Sequence, residues 1–253
     1  MKKKEALRVL LIQARENPTK EHEYNLVVEN SGLAKDQFIR FDALNQESFA
    51  IDVLSTYDAV MIGGSPHCVL SDYSYLPFLT DVVRYCKNKD IPFLGICYGF
   101  QIAVQALGGE VVEDLESAEA GTYRMYRTAA SDNDPIAGSL PREFLATCGR
   151  KDRTLRLPEG MVNYISSDKC SVHFAAFPGT NFYGVQFHPE LWKKESNMVR
   201  INHYKQDYAM SEEEFRERIK KFEDAPHSAY ILLNFIEKIV LQRICTESYS
   251  TTS

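Results

Sequence analysis

Three short runs with almost unbroken apolar interiors constrain the fold more than any other feature of this chain: Leu7 to Ala14, Tyr57 to Ile62 and Ile91 to Ile96. They do not alternate apolar with polar residues, so each predicts a strand covered on both faces, as in a parallel sheet. Phe38 to Phe41 predicts a short further strand. Helical spacing separates the strands at Glu21 to Ser31, Tyr75 to Lys87 and Gly99 to Leu107, the last closed by Gly108-Gly109. The alternation implies an α/β protein with a mostly parallel central sheet and helices on both faces. Ligands bind such sheets beyond the carboxyl ends of the strands.

One carboxyl end carries a candidate nucleophile. In Ile91-Pro-Phe-Leu-Gly-Ile-Cys97-Tyr-Gly-Phe-Gln101 an apolar strand runs into a Cys and a Gly, and an Ala-containing helical pattern follows. A Cys on a tight strand-to-helix turn exposes its sulfur above the sheet edge, and the positive end of the helix favours the thiolate. The geometry parallels the nucleophile elbow of serine hydrolases. A free Cys is more often a small buried hydrophobe, so Cys97 needs a base elsewhere to count as a nucleophile.

Phe182-Tyr-Gly-Val-Gln-Phe-His188-Pro-Glu190 supplies one. A second apolar strand ends there in a His, then a Pro that stops it, then a carboxylate. His188 and Glu190, at i and i+2 of an extended chain, point to the same side. His188 can take the Cys97 proton while Glu190 holds the imidazole tautomer and stabilises the imidazolium.

These residues resemble the class I, triad-type glutamine amidotransferases. The family's G-x-C-x-G-x-Q motif stands here as Gly95-Ile-Cys97-Tyr-Gly99-Phe-Gln101, and its G-x-Q-x-H-P-E motif as Gly184-Val-Gln-Phe-His188-Pro-Glu190. Its Gly-Gly loop stands as Ala59-Val-Met-Ile-Gly63-Gly64-Ser-Pro66, and the likeness covers roughly residues 7 to 240. The resemblance implies a flavodoxin-like sheet with a small β-rich elaboration, and a Cys97, His188, Glu190 triad that cleaves glutamine to glutamate and ammonia through a thioester. It implies an oxyanion hole from the backbone N–H groups of Gly64 and Tyr98, with Gly63 and Gln101 at the substrate. It calls for no cofactor and no metal.

One departure touches the substrate pocket. Many members carry a His-Gly-Asp-like turn upstream of a Leu-Pro-x-Gly segment, and counting back from Leu157-Pro158-Glu-Gly160 places Arg150-Lys151-Asp152 there. Arg150 and Lys151 are therefore candidate substrate-binding cations, suited to a longer substrate with an extra carboxylate, or else surface charges. A Gly-rich phosphate loop of a fused synthetase is not found in the sequence. Two roles stay open: a subunit that passes ammonia to a separate synthetase chain, as in GMP synthase-like amidotransferases, or a free-standing γ-glutamyl peptidase. A non-catalytic binder of the same fold is a third reading, which the complete Cys-His-Glu set argues against.

Composition fits this picture. At 253 residues, 44% hydrophobic and 25% charged, the chain matches an ordinary globular protein. A formal charge of -6 without a basic cluster beyond Lys2-Lys3-Lys4 argues against a nucleic-acid partner. Nothing reads as a signal peptide or a membrane span. The 6 Cys form no zinc or disulfide-dense spacing, which suits the cytoplasm. Cys68 reads as filler, and His67 as the only His besides His188 near the chemistry.

The stretch from Gly109 to Asn181 predicts short strands that bring His188 back over Cys97. Ser211-Glu-Glu-Glu214 predicts a capping box, followed by a charged helix and an apolar one over Ala229 to Val240. The charged segment from Glu195 to Asp224 reads as a solvated helical face. A single domain is expected over 1–244, with a polar tail over 245–253.

Overall fold

The computed structural model describes residues 4–46, 48–207 and 210–243; the tail expected over 245–253 lies outside them. The first half of the chain winds β1 (Val9–Gln13), α1 (Thr19–Ser31), β2 (Phe38–Asp42), β3 (Ala59–Ile62), α2 (Leu76–Asn88), β4 (Phe93–Ile96) and α3 (Tyr98–Ala106). β5 (Glu110–Glu113), β6 (Glu119–Arg127), β7 (Glu143–Arg150), β8 (Asp152–Arg156), β9 (Val162–Ser166), β10 (Phe174–Ala176) and β11 (Phe182–Val185) follow. The chain then becomes helical, with α4 (Lys194–Asp207), α5 (Glu212–Ile219) and α6 (Pro226–Asn234), the last continuing as a π-helical stretch over Phe235–Val240.

A nine-stranded sheet runs in the order β2-β1-β3-β4-β11-β10-β9-β6-β7. The half from β2 to β11 is parallel, in the flavodoxin-like order. From β11 onward every pairing is antiparallel. The β-rich elaboration is thus largely a continuation of the main sheet, with only β5 and β8 forming a separate two-stranded ribbon. His188 reaches Cys97 because β11 lies directly beside β4, with Val185 opposite Ile96.

The parallel half is buried on both faces, as its unbroken apolar runs require. Val9 and Leu11 of β1, Met61 of β3 and Leu94 and Ile96 of β4 join one core with α1 and α6 residues such as Val27 and Ile231. Leu10, Ile12, Val60, Ile62 and Phe93 face the other, with Leu79 and Val83 of α2 and Phe100 of α3. Pleating sends neighbours to opposite faces, so these strands need two apolar layers. α3 packs unusually close to the sheet: a Cβ on Gly99 would lie 2.2 Å from the Ile62 carbonyl oxygen. Only glycine allows that approach. Among the described residues, no helix is long and apolar enough to cross a membrane.

Candidate active site

β1, β3, β4 and β11 all end at one edge of the sheet, and the candidate chemistry collects there. Cys97 sits between β4 and α3 with φ +51° and ψ −99°, a backbone conformation that L-residues rarely adopt. The turn is held from both sides. The Cys97 N–H donates to the Val185 carbonyl at 2.7 Å, and the Gly99 N–H donates to the Gly63 carbonyl at 3.2 Å. Tyr98 is the first residue of α3, so its N–H has no acceptor one turn earlier in the helix and points with the positive end of the helix dipole.

His188 is placed by its N–H, which donates to the Thr147 carbonyl of β7 at 2.8 Å. Its Nδ1 hydrogen-bonds to Glu190 Oε1 at 2.8 Å, and the Cys97 thiol lies near enough to the ring to raise its pKa. The three side chains are buried. Burial works against the imidazolium, but the Glu190 charge and Cys97 outweigh it, so the His188 pKa lies above the ordinary imidazole value. Burial likewise opposes the Glu190 carboxylate, yet the imidazolium and the Arg200 guanidinium hold its pKa low. The arrangement can shuttle a proton between sulfur and a leaving group while the carboxylate keeps the imidazolium charged.

The cavity over Cys97 measures about 450 Å³. Gln101 lines it and Gln186 lies behind: Gln101 donates to the Asp152 carbonyl at 3.1 Å and to Gln186 Oε1 at 3.2 Å, and Gln186 donates to Cys97 Sγ at 3.5 Å. Gln101 is therefore buried and committed, rather than on the surface. His67 also lines the cavity, stacked on Tyr73 with ring centroids 4.3 Å apart and hydrogen-bonded to Tyr75. A larger cavity of about 1090 Å³ lies at the opposite edge of the sheet, around Asp90 and Asn181, which precede β4 and β11.

The Arg150-Lys151 pair separates in the structure. Arg150 is not a surface charge: it is buried, with Nη2 2.7 Å from Glu119 Oε2, and Glu119 is itself fully buried. Burial opposes the Glu119 carboxylate, but the His173 hydrogen bond and the Arg150 charge hold its pKa down at about 2. Lys151 reaches outward to Glu113 at 2.7 Å. Glu119, Cys148 and His173 offer atoms within 4.8 Å of one another, a separation that could hold a metal ion. The Glu119 carboxylate is instead taken by Arg150, His173 and Ser167, so this second Glu-Cys-His group is a neutralised buried cluster distinct from Cys97, His188 and Glu190.

The Gly64 N–H, expected in an oxyanion hole, donates here to Glu23 Oε1 at 3.0 Å. Buried Glu23 needs donors on every oxygen, and it draws on Gly64, Gln13 and Arg15. A side chain at Gly64 would not fit, since its Cβ would lie 2.5 Å from Arg15 Nη2 and 2.8 Å from His188 Cε1.

With the geometry in place, likeness to known proteins decides the family. The model of the class I glutamine amidotransferases matches residues 26–204. The chain belongs to this family. It is 30% identical over 149 residues to one of the subunits of the glutamine-hydrolysing GMP synthase of Sulfolobus acidocaldarius, spanning 59% of this chain and 76% of the relative. It is 28% identical over 176 residues to γ-glutamyl peptidase 3 of Arabidopsis thaliana, spanning 68% of this chain and 70% of that one. A solved glutamine amidotransferase from Thermotoga maritima superposes with a TM-score of 0.69 at 21% identity, covering 94% of this chain and 97% of the other. That likeness supports the fold. The family is enzymatic.

Sequence reasoning about this amidotransferase missed one wall of its cavity. Arg15 follows β1, and Arg200 and Tyr204 lie on α4 within the segment expected to be a solvated helical face. α4 instead turns Asn197, Arg200 and Ile201 inward. Arg15 bonds Glu23 at 2.8 Å and the Tyr204 hydroxyl at 2.5 Å, and Arg200 Nη2 stands 3.7 Å from Glu190 Oε1. The available signal was topological: Arg15 and Gly64 flank the point where the strand order reverses between β1 and β3.

Proposed function

We propose that this amidotransferase-family protein hydrolyses a γ-glutamyl amide through a thioester on Cys97. The observation that carries this reading is the strained Cys97 turn beside a buried His188 whose Nδ1 is held 2.8 Å from Glu190. His188 takes the thiol proton, and the thiolate attacks the γ-carbonyl carbon. The resulting oxyanion accepts from the Tyr98 N–H at the start of α3. Gly64 can join only by releasing Glu23. As the C–N bond breaks, His188 gives its proton to the departing amine, leaving a glutamyl thioester. Water, deprotonated by His188, then releases glutamate and restores the thiol.

The glutamyl head is assigned to the Gln101 side of the cavity. Arg150 Nη1 and Asp152 Oδ1 are both buried and without a hydrogen-bond partner among the described residues, and both residues line the cavity. A zwitterionic α-amino acid head offers the carboxylate and the ammonium these atoms lack. Lys151 adds a cation at the rim. The reactive thiol suits a reducing compartment such as the cytoplasm.

The GMP synthase subunits among the relatives support a reading in which the ammonia passes to a separate synthetase chain. The γ-glutamyl peptidase relative supports a self-sufficient hydrolase. Measuring glutamate release from glutamine and from a γ-glutamyl dipeptide, with the protein alone, separates them. Partner-free dipeptide cleavage supports the hydrolase; glutamine turnover that needs a second chain supports the synthetase-linked role. Wild-type turnover in Cys97→Ala would falsify both.

A further inference from the structure

The direction of the chemistry sorts the cavity into two ends. His188 must protonate the departing amine, so whatever that amine carries lies on the His188 side of Cys97. The wall there is cationic. Arg15 approaches His188 across the missing side chain of Gly64, and Arg200 stands beside Glu190. Both are buried, and the Arg15 charge bears on Arg200 directly. Arg200 lines the cavity and its Nε donates to His22 Nδ1 at 3.5 Å, whereas its Nη2 is buried without a hydrogen-bond partner among the described residues. A buried guanidinium nitrogen without an acceptor is costly, and costlier still beside a second guanidinium. An anion in the cavity would relieve both.

We propose that Arg15, Arg200 and Tyr204 form a subsite for a carboxylate on the leaving amine, so that the substrate is a γ-glutamyl amino acid or peptide. The inference rests on the γ-glutamyl reading and names its substrate class. Glu23 stands 2.8 Å from Arg15 and Glu190 only 3.7 Å from Arg200, so Arg200 holds the looser counter-ion and has room for a carboxylate. A neutral leaving group leaves Arg200 Nη2 unsatisfied. The cationic wall stands on the loop after β1 and on α4, whereas Cys97 follows β4 and His188 and Glu190 follow β11. Selectivity and chemistry therefore have separate supports.

The test compares kcat/KM for γ-glutamylglycine and γ-glutamylethylamide, which share the scissile amide and differ in the carboxylate. Wild type is expected to favour γ-glutamylglycine by about tenfold or more, the range of one charge-assisted hydrogen bond. Arg200→Gln should bring that ratio towards one. Tyr204→Phe, which removes only the hydroxyl that Arg15 bonds, should reduce it by a smaller factor. A role confined to holding Glu190 or the fold would lower both substrates together and keep the ratio. Equal wild-type values, or an unchanged ratio in Arg200→Gln, overturns the subsite while the γ-glutamyl reading stands. Failure to cleave either amide overturns both.

Discussion

The two ends of the cavity each hold a buried arginine with one unsatisfied nitrogen, and they are built in opposite ways. Arg150 pairs with Glu119 across adjacent antiparallel strands, where the two residues are direct register partners of β7 and β6. Arg200 comes from a helix far along the chain and meets Glu190 and His22 from other elements. The first pair is secured by sheet hydrogen bonds whatever the cavity contains. The second depends on how α4 packs against α1. A cross-strand ion pair is therefore expected to govern stability and grip on the shared glutamyl head, and the helix-borne arginine to govern discrimination between leaving groups.

The largest effect removes the chemistry both ends serve. Cys97→Ala or Cys97→Ser should lower turnover by roughly 10³-fold or more, with His188→Ala nearly as severe, because nucleophile and base act as a unit. Glu190→Gln should retain measurable activity. Its kcat/KM should also lose its alkaline limb at lower pH, since Glu190 is what raises the His188 pKa. A harmless Glu190→Gln would mean that another group orients the imidazole.

Next in size is the Glu119–Arg150 pair. Arg150→Met leaves the buried Glu119 carboxylate with Ser167 and His173 but no guanidinium, and should cost about 3 kcal/mol in denaturant unfolding. It should also weaken both amide substrates alike. The Glu119 pKa is depressed to about 2 when folded, so its contribution is present above the unfolded carboxylate range and is lost as pH falls. Wild type should lose stability between about pH 4 and pH 2, and Glu119→Gln should flatten that slope. If Arg150→Met instead alters the ratio between leaving groups and spares stability, the division between the two ends fails.

Arg15→Met sharpens the contrast. Glu23 keeps its Gln13 and Gly64 donors after the substitution, as Glu119 keeps Ser167 and His173 in Arg150→Met, so the stability losses should be comparable in the same unfolding experiment while Arg15→Met alone lowers the ratio between leaving groups. The smallest effect belongs to Lys151. Its pair with Glu113 is exposed, and Lys151→Ala should leave the unfolding midpoint essentially unchanged. A larger change would show that this rim is more tightly packed than its exposure suggests.

The parts of this molecule legible in the sequence were those with local or periodic causes. The unbroken apolar runs announced two-sided burial, and β1, β3 and β4 lie within a residue or two of the expected spans. The capping box at Ser211 formed, with its hydroxyl accepting from the Glu214 N–H at 3.2 Å. Cys97 was recognisable because a strand-to-helix turn leaves a mark in adjacent residues. Glu23 was not. Inside α1 it reads as a surface charge, and only the packing of α1 beneath the Gly63-Gly64 loop makes it a fully buried acceptor.

From sequence alone came the parallel α/β class, the strand-to-helix turn that carries Cys97 and the pairing of His188 with Glu190, all set by short-range patterns that survive in one dimension. The tertiary structure alone decided where charge is buried. It turned Arg150 inward onto Glu119, committed the Gly64 N–H to Glu23, and converted the inner side of a charged helix into a cavity wall. The reason is physical. A charged residue can be buried wherever distant elements supply its partners, and the distances between elements far apart in sequence are fixed only when the sheet and helices pack.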